Sequence, residues 1–241
     1  MARPLRLEIA GAVYLVGARC PSDGGRTAFA DEADEAGMRA LLAQALRRFD
    51  AQALAYALLP DHYQLLLFTR RANLSPLMRH VNGVYTQHHR RRHGLGGPLF
   101  QGRFHAVLVD REHHLLDACR YVDLGPVREG LAAGAADWPG SSFRALAGLE
   151  PAPAWLDVDG LHAHLLGRPA LTPARHRLAG ERYARLVAAE PGFDLWPGRL
   201  REQALRLAHT EGGVPMTALA AQLGLSISRV SRLIAAAEQA M

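Results

Sequence analysis

The chain has 241 residues, 49% of them hydrophobic and 21% charged, and lacks both an apolar run of membrane-spanning length and a signal-peptide core at its start. It therefore reads as a soluble, cytoplasmic globular protein with no membrane association. Its net charge of +5 leans towards an anionic partner, and two cysteines, Cys20 and Cys119, without ligand-like spacing exclude a disulfide framework or a cysteine-built zinc site.

In chain order, residues 6–19 predict a strand that ends in the turn-rich CPSDGG. DEADEAGMRALLAQALRRF, from Asp31, predicts an amphipathic helix, with acids in its first turn, arginines in its last and leucines at helical spacing. Residues 53–59 and 62–68 predict two strands joined at Pro60-Asp61, a connection so short that they must pair antiparallel. NLSPLMRHVNGVYTQHHRRRHG predicts a second helix closed by the Gly94–Pro98 loop, LFQGRFHAVLV a further strand, and DREHHLLDACRYVDL a third helix capped by Asp110 and stopped by Gly125-Pro126. Short antiparallel connections among alternating strands and helices favour an α+β fold over a doubly wound sheet.

Three features carry chemistry. The strand ALLPDHYQLLLF places His62 and Gln64 on one face and Tyr63 and Leu65 on the other, so two polar groups that suit a metal or a phosphate project together; a merely solvated strand face is the alternative. All 28 basic residues are arginine, which codon bias explains, but their distribution is informative: from His62 to Val109 there are seven arginines, six histidines and no carboxylate. Such a span suits a phosphate-facing surface, with Arg90, Arg91 and Arg92 at the end of the second helix and Arg103 in QGRF as contacts. A solvated helix end favoured by the dipole is the plain alternative for the first three. Tyr85, Phe100 and Phe104 are candidates either for base-stacking platforms or for core. Finally, MTALAAQLGLSISRVSRLIAAAE has the pattern of a helix-turn-helix, with Ala220, a turn at Gly224, and apolar Leu219, Leu223, Leu225, Val230 and Leu233. Ser226 caps the second helix, leaving Arg229 and Arg232 for DNA. An ordinary helical hairpin shares this pattern.

LPDHYQLLL, GPLFQGRF, YVDLGPVREGL and DWPGSSFRAL, in this order and spacing, resemble the single-tyrosine HUH transposases, and among them the REP-associated tyrosine transposase group. The resemblance spans roughly residues 5–147. It implies a ferredoxin-like antiparallel sheet flanked by helices over residues 1–148; beyond it, the Pro- and Gly-punctuated residues 149–198 read as a helical connector, and the tail pattern makes 199–241 a small all-α helix-turn-helix region. The resemblance also implies single-stranded, hairpin-forming DNA as partner; the tail adds duplex as a second DNA form, and the chain is expected to act as a monomer or homodimer. Two strand histidines in that family hold a divalent cation, Mg²⁺ or Mn²⁺, and a helical tyrosine attacks the scissile phosphate to give a 5′-phosphotyrosine. Tyr121 matches the nucleophile and His62 the first metal-binding histidine. Gln64 stands where the second histidine is expected, and Gly125 where an asparagine is expected. Two functions follow: a DNA strand nickase and transferase, or a domesticated module that binds DNA without cutting it.

Overall fold

The computed structural model describes residues 8–21, 26–94, 96–189, 209, 215–223 and 226–239. Its sheet is built from β1 (Ala12–Arg19), β2 (Ala51–Leu59), β3 (His62–Thr69) and β4 (His105–Val109), in the order β2-β3-β1-β4 with every pairing antiparallel. Helix α1 (Glu32–Arg48) connects β1 to β2, and α2 (Leu74–His93) connects β3 to β4. Asp31 caps α1 by accepting from the amides of Ala33 and Asp34, and Met38, Leu41, Leu42, Ala45 and Leu46 form its buried stripe. At its far end α2 closes on Gly94, whose φ of 66° is the left-handed conformation that glycine adopts without a Cβ penalty.

The two faces of β3 receive different helices. Tyr63 points towards α2, where its hydroxyl donates to Asn82 at 2.6 Å, and α1 packs beside α2. Gln64 and Phe68 point the other way, towards α3 (Arg111–Asp123) and the single turn α4 (Gly125–Arg128). Asp110 caps α3 as predicted, accepting from the amides of Glu112 and His113.

β2 lies at the sheet edge, yet nearly all of AQALAYALL is buried. The DWPGSSFRAL segment explains this. The Trp138 indole N–H donates to the Leu58 carbonyl at 2.9 Å, the Leu58 amide donates to Gly140, and Ser142 exchanges hydrogen bonds with the Tyr56 backbone. This motif is a cover for an otherwise unpaired strand edge.

Two expectations need correction. The strand predicted over LFQGRFHAVLV begins only at His105, because Gly97 and Gly102 take positive φ and turn Phe100 and Phe104 into the core. Phe100 packs edge-on against Tyr63 and stacks with Tyr85, so these aromatics are core, and not platforms for bases. Gly125-Pro126, read as a helix stop, instead breaks the helix and restarts it at once, with proline in the first turn of α4.

The chain continues into α5 (Phe143–Leu146), α6 (Val158–Leu166) and α7 (Pro173–Ala188), and Leu156, Leu161, Tyr183 and Val187 belong to the same buried cluster as the sheet. The two tail helices, Met216–Leu223 and Ile227–Gln239, meet in a separate small cluster of Leu219, Ala220, Val230 and Ile234, against which Ile9 packs. The Gly224 turn between them lies outside the described residues. Among the described residues, no helix is long and apolar enough to cross a membrane.

Asp123, at the end of α3, is fully buried and accepts from Ser142 at 2.6 Å and from Tyr183 of α7. Burial outweighs these two donors and pushes its carboxyl up to about 7. The folded state thus holds this proton more tightly than the unfolded chain, whose value is near 3.8. The stability it confers is complete below the unfolded value and is lost as pH rises to the folded one, at about 1.4 kcal/mol per pH unit. Asp123→Asn keeps an acceptor but removes the proton. The denaturation midpoint of the wild type relative to this variant is expected to fall steadily from pH 4.5 to pH 7; a constant difference across urea melts would mean that Asp123 is charged in the fold.

Candidate functional site

Antiparallel register sets Arg19, the last residue of β1, directly across from His62, the first of β3. The Gln101 amide donates to the Arg19 carbonyl at 2.8 Å, so the GPLFQGRF segment fixes the end of this strand. The Arg19 side chain then spans the site. Its Nη1 meets Asp61 at 2.7 Å, and its Nη2 meets Glu129 at 2.8 Å and His62 Nε2 at 3.3 Å. His62 is 5% exposed, and its Nδ1 lies 2.7 Å from Asp61. Both ring nitrogens are therefore engaged. His62 and the neighbouring charge hold the Asp61 carboxyl below its ordinary range, although its partial burial acts in the opposite direction.

Gln64, two residues on, reaches the same side. Its Oε1 accepts from Arg128 Nη2 at 3.5 Å. The restart of the helix at Gly125 swings Arg128 back over α3, where its Nη1 donates to the Tyr121 carbonyl at 2.5 Å and its guanidinium carbon lies 3.8 Å from the centre of the Tyr121 ring. This is a short cation–π stack. His62, Gln64 and Tyr121 are thus brought to one side of the sheet, with two arginines between and beside them. Arg19 is balanced by two carboxylates. The hydrogen bonds of Arg128 among the described residues go to neutral oxygens, and the neighbouring Glu129 carboxylate acts on it through space without accepting from it, so no carboxylate occupies its donors.

Does this set fit the divalent cation that the resemblance implies? A cation needs lone pairs facing a common point. Here the two His62 nitrogens face Asp61 and Arg19, the Gln64 carbonyl faces Arg128, and position 125 offers no side chain. A Cβ at Gly125 would sit 3.3 Å from Gln64 Oε1 and 3.7 Å from Arg128 Nη2, so any side chain there would enter the space that the guanidinium uses. The two carboxylates beside His62, Asp61 and Glu129, are turned to Arg19, and Arg128 occupies the space beside Gln64, so no set of donors faces a common point. The residues do not fit a metal ion.

The remaining predicted DNA-binding residues lie elsewhere. Arg90 and Arg91 are exposed at the end of α2 and line an open cavity of about 490 Å³ with Gln87, Gly94 and Gly96. Arg92 is held at 2.5 Å by both Asp31 and Asp34, and Arg70 and Arg71 meet Asp50, so carboxylates from distant sequence enter the acid-free stretch. Arg103 is exposed beyond Gly102, and Arg229 and Arg232 are exposed on the second tail helix. Sequence reasoning missed Arg19, Arg128 and Glu129. GPVREG, inside the YVDLGPVREGL motif, held the signal for two of them; Arg19 becomes a neighbour of His62 only once strand register is known.

Among solved structures, that of a REP-associated tyrosine transposase bound to a REP hairpin is similar to this chain, with a TM-score of 0.53 and 21% identity over 65% of this chain and 94% of that one. The likeness shows a shared fold. No family model and no curated protein matches the chain.

Proposed function

We propose that this protein is a transposase-like DNA-binding protein that recognises hairpin-forming single-stranded DNA, and that at its His62–Gln64–Tyr121 site an arginine meets the phosphate where the resemblance implies a metal. The observation that carries this reading is the Arg128 guanidinium, wedged between Gln64 and Tyr121 and hydrogen-bonded to two neutral oxygens. Guanidinium is a planar, permanently charged donor matched to phosphate oxygens. The β-α-β-β-α-β order with strands β2-β3-β1-β4 supports a ferredoxin-like sheet, and the similar solved structure supports hairpin DNA as the ligand class. The test is fluorescence anisotropy with a single-stranded hairpin against an unstructured strand of equal length. Tighter binding of the hairpin is expected; equal affinities would remove hairpin recognition.

A second reading, strand nicking, draws on Tyr121 itself. Its phenol oxygen would attack phosphorus and form a phosphotyrosine ester on the 5′ side while a 3′-hydroxyl departs with a proton. Arg128 beside the ring would neutralise charge on the phosphate. A covalent adduct on a denaturing gel, absent in Tyr121→Phe, separates this reading from binding alone.

The tail completes the proposal as a helix-turn-helix that adds duplex affinity. The Ser226 hydroxyl accepts from the Arg229 amide at 3.3 Å, an N-cap that starts the second helix with both arginines exposed. Arg229→Ala with Arg232→Ala is expected to weaken duplex binding and to reduce the slope of log K against log salt by about 2, one unit for each phosphate no longer neutralised. An unchanged slope would reduce the tail to a packing element.

A further inference from the structure

We infer that the protein carries a metal site far from the tyrosine, built by Asp34, His89 and His93, and suited to Zn²⁺ or a similar late divalent ion. His89 and His93 stand one helical turn apart at the end of α2, with ring centroids 4.3 Å apart, and Asp34 comes from the first turn of α1. One donor atom from each lies within 4.8 Å of the others. Asp34 is 0% exposed and His89 2%.

Most of the cluster explains itself as an ion-pair network. His93 Nε2 lies 2.9 Å from Asp34 Oδ2, Arg92 holds Asp34 Oδ1, and the Ala30 amide donates to Oδ2 at 3.0 Å. His89 does not fit that explanation. Its ring is hydrogen-bonded to the backbone of Thr27, and its Nε2 is buried with no hydrogen-bond partner among the described residues. Leaving a buried ring nitrogen without a partner is destabilising. A metal ion would remove that cost, and a backbone bond at the other side of the ring is what orients ligating histidines. Two imidazoles and one carboxylate form a donor set for zinc, leaving one position for water. Mg²⁺, which prefers oxygen, suits it poorly. Arg92 Nη1 also lies 3.2 Å from His93 Nε2, so an ion enters only as this guanidinium turns from Asp34 and His93 onto Asp31, which already holds its other nitrogen at 2.5 Å. Arg19 at His62 differs: its partners Asp61 and Glu129 offer no orphaned donor, whereas Arg92 would exchange places with an ion that satisfies the unpartnered His89 Nε2. An ion here would tie the start of α1 to the end of α2, the turn that bears Arg90 and Arg91.

The test uses the untagged full chain, stripped with chelator, titrated with Co²⁺ and then Zn²⁺. The wild type is expected to bind one equivalent with a visible Co²⁺ band that Zn²⁺ bleaches, and to melt at higher temperature with Zn²⁺. His62→Ala should bind alike. His93→Gln, at the more exposed ligand, and His89→Gln should each bind about 10-fold more weakly or worse, with circular dichroism confirming that at least the former is folded. No stoichiometric binding by the wild type, binding that survives in a folded His93→Gln, or loss in a folded His62→Ala would each overturn the assignment. None of these outcomes depends on DNA binding.

Discussion

Gln64→His combined with Gly125→Asn is expected to create Mn²⁺-dependent formation of a covalent adduct with hairpin DNA, at least about 100-fold above the wild type, the ratio that roughly 3 kcal/mol of charge stabilisation supplies. Histidine at 64 replaces a neutral oxygen with a nitrogen donor of far higher affinity for a transition metal. Gly125 has no positive φ and begins the α4 turn, so the backbone accepts asparagine there. Its side chain would enter the gap between Gln64 and Arg128, the place from which the guanidinium must withdraw for a cation to enter. Arg128→Gln added to the pair should therefore raise metal dependence further, and Tyr121→Phe should abolish the adduct in every background. Strong Mn²⁺-dependent adduct formation by the unmodified protein would show that groups other than 64 and 125 already complete a metal site.

The second large effect concerns the arginine. Arg128→Ala is expected to weaken hairpin binding about 10- to 100-fold, the range of one charge-assisted hydrogen bond to phosphate, or about 1.5–3 kcal/mol. Arg128→Lys should recover only part of this, because an ammonium keeps the charge but not the planar fork or the stack on Tyr121. Arg19→Ala should cost less: its charge is already balanced by Asp61 and Glu129, and half-exposed pairs of this kind contribute little. If Arg128→Ala and Arg19→Ala were equally harmless, the phosphate would have to be met elsewhere.

Much of this architecture was legible in the sequence because it follows from local rules. Asp110 announces its helix by capping, acids at the start and arginines at the end mark the helix that Asp31 opens, and the Pro60-Asp61 turn fixes an antiparallel pair. Period-two alternation separates Tyr63, which faces α2, from Gln64, which faces α3 and α4. What escaped depends on distance along the chain. Arg19 meets His62 through register across β1 and β3, and Glu129 comes from beyond α4. The acid-free stretch looked like an open basic surface, but Asp31, Asp34 and Asp50 reach it from other elements. Gly125-Pro126 was legible as a break in the helix, whereas the immediate restart that carries Arg128 over Tyr121 was not.

The central claim, that an arginine meets the phosphate at this site, is tested most directly by titrating hairpin single-stranded DNA into wild-type protein and Arg128→Ala, each in excess EDTA and in Mn²⁺. Replacing Mn²⁺ with EDTA should leave the wild-type affinity unchanged, while Arg128→Ala should bind about 10-fold or more weakly in both buffers. Affinity that collapses in EDTA and is indifferent to residue 128 would contradict it.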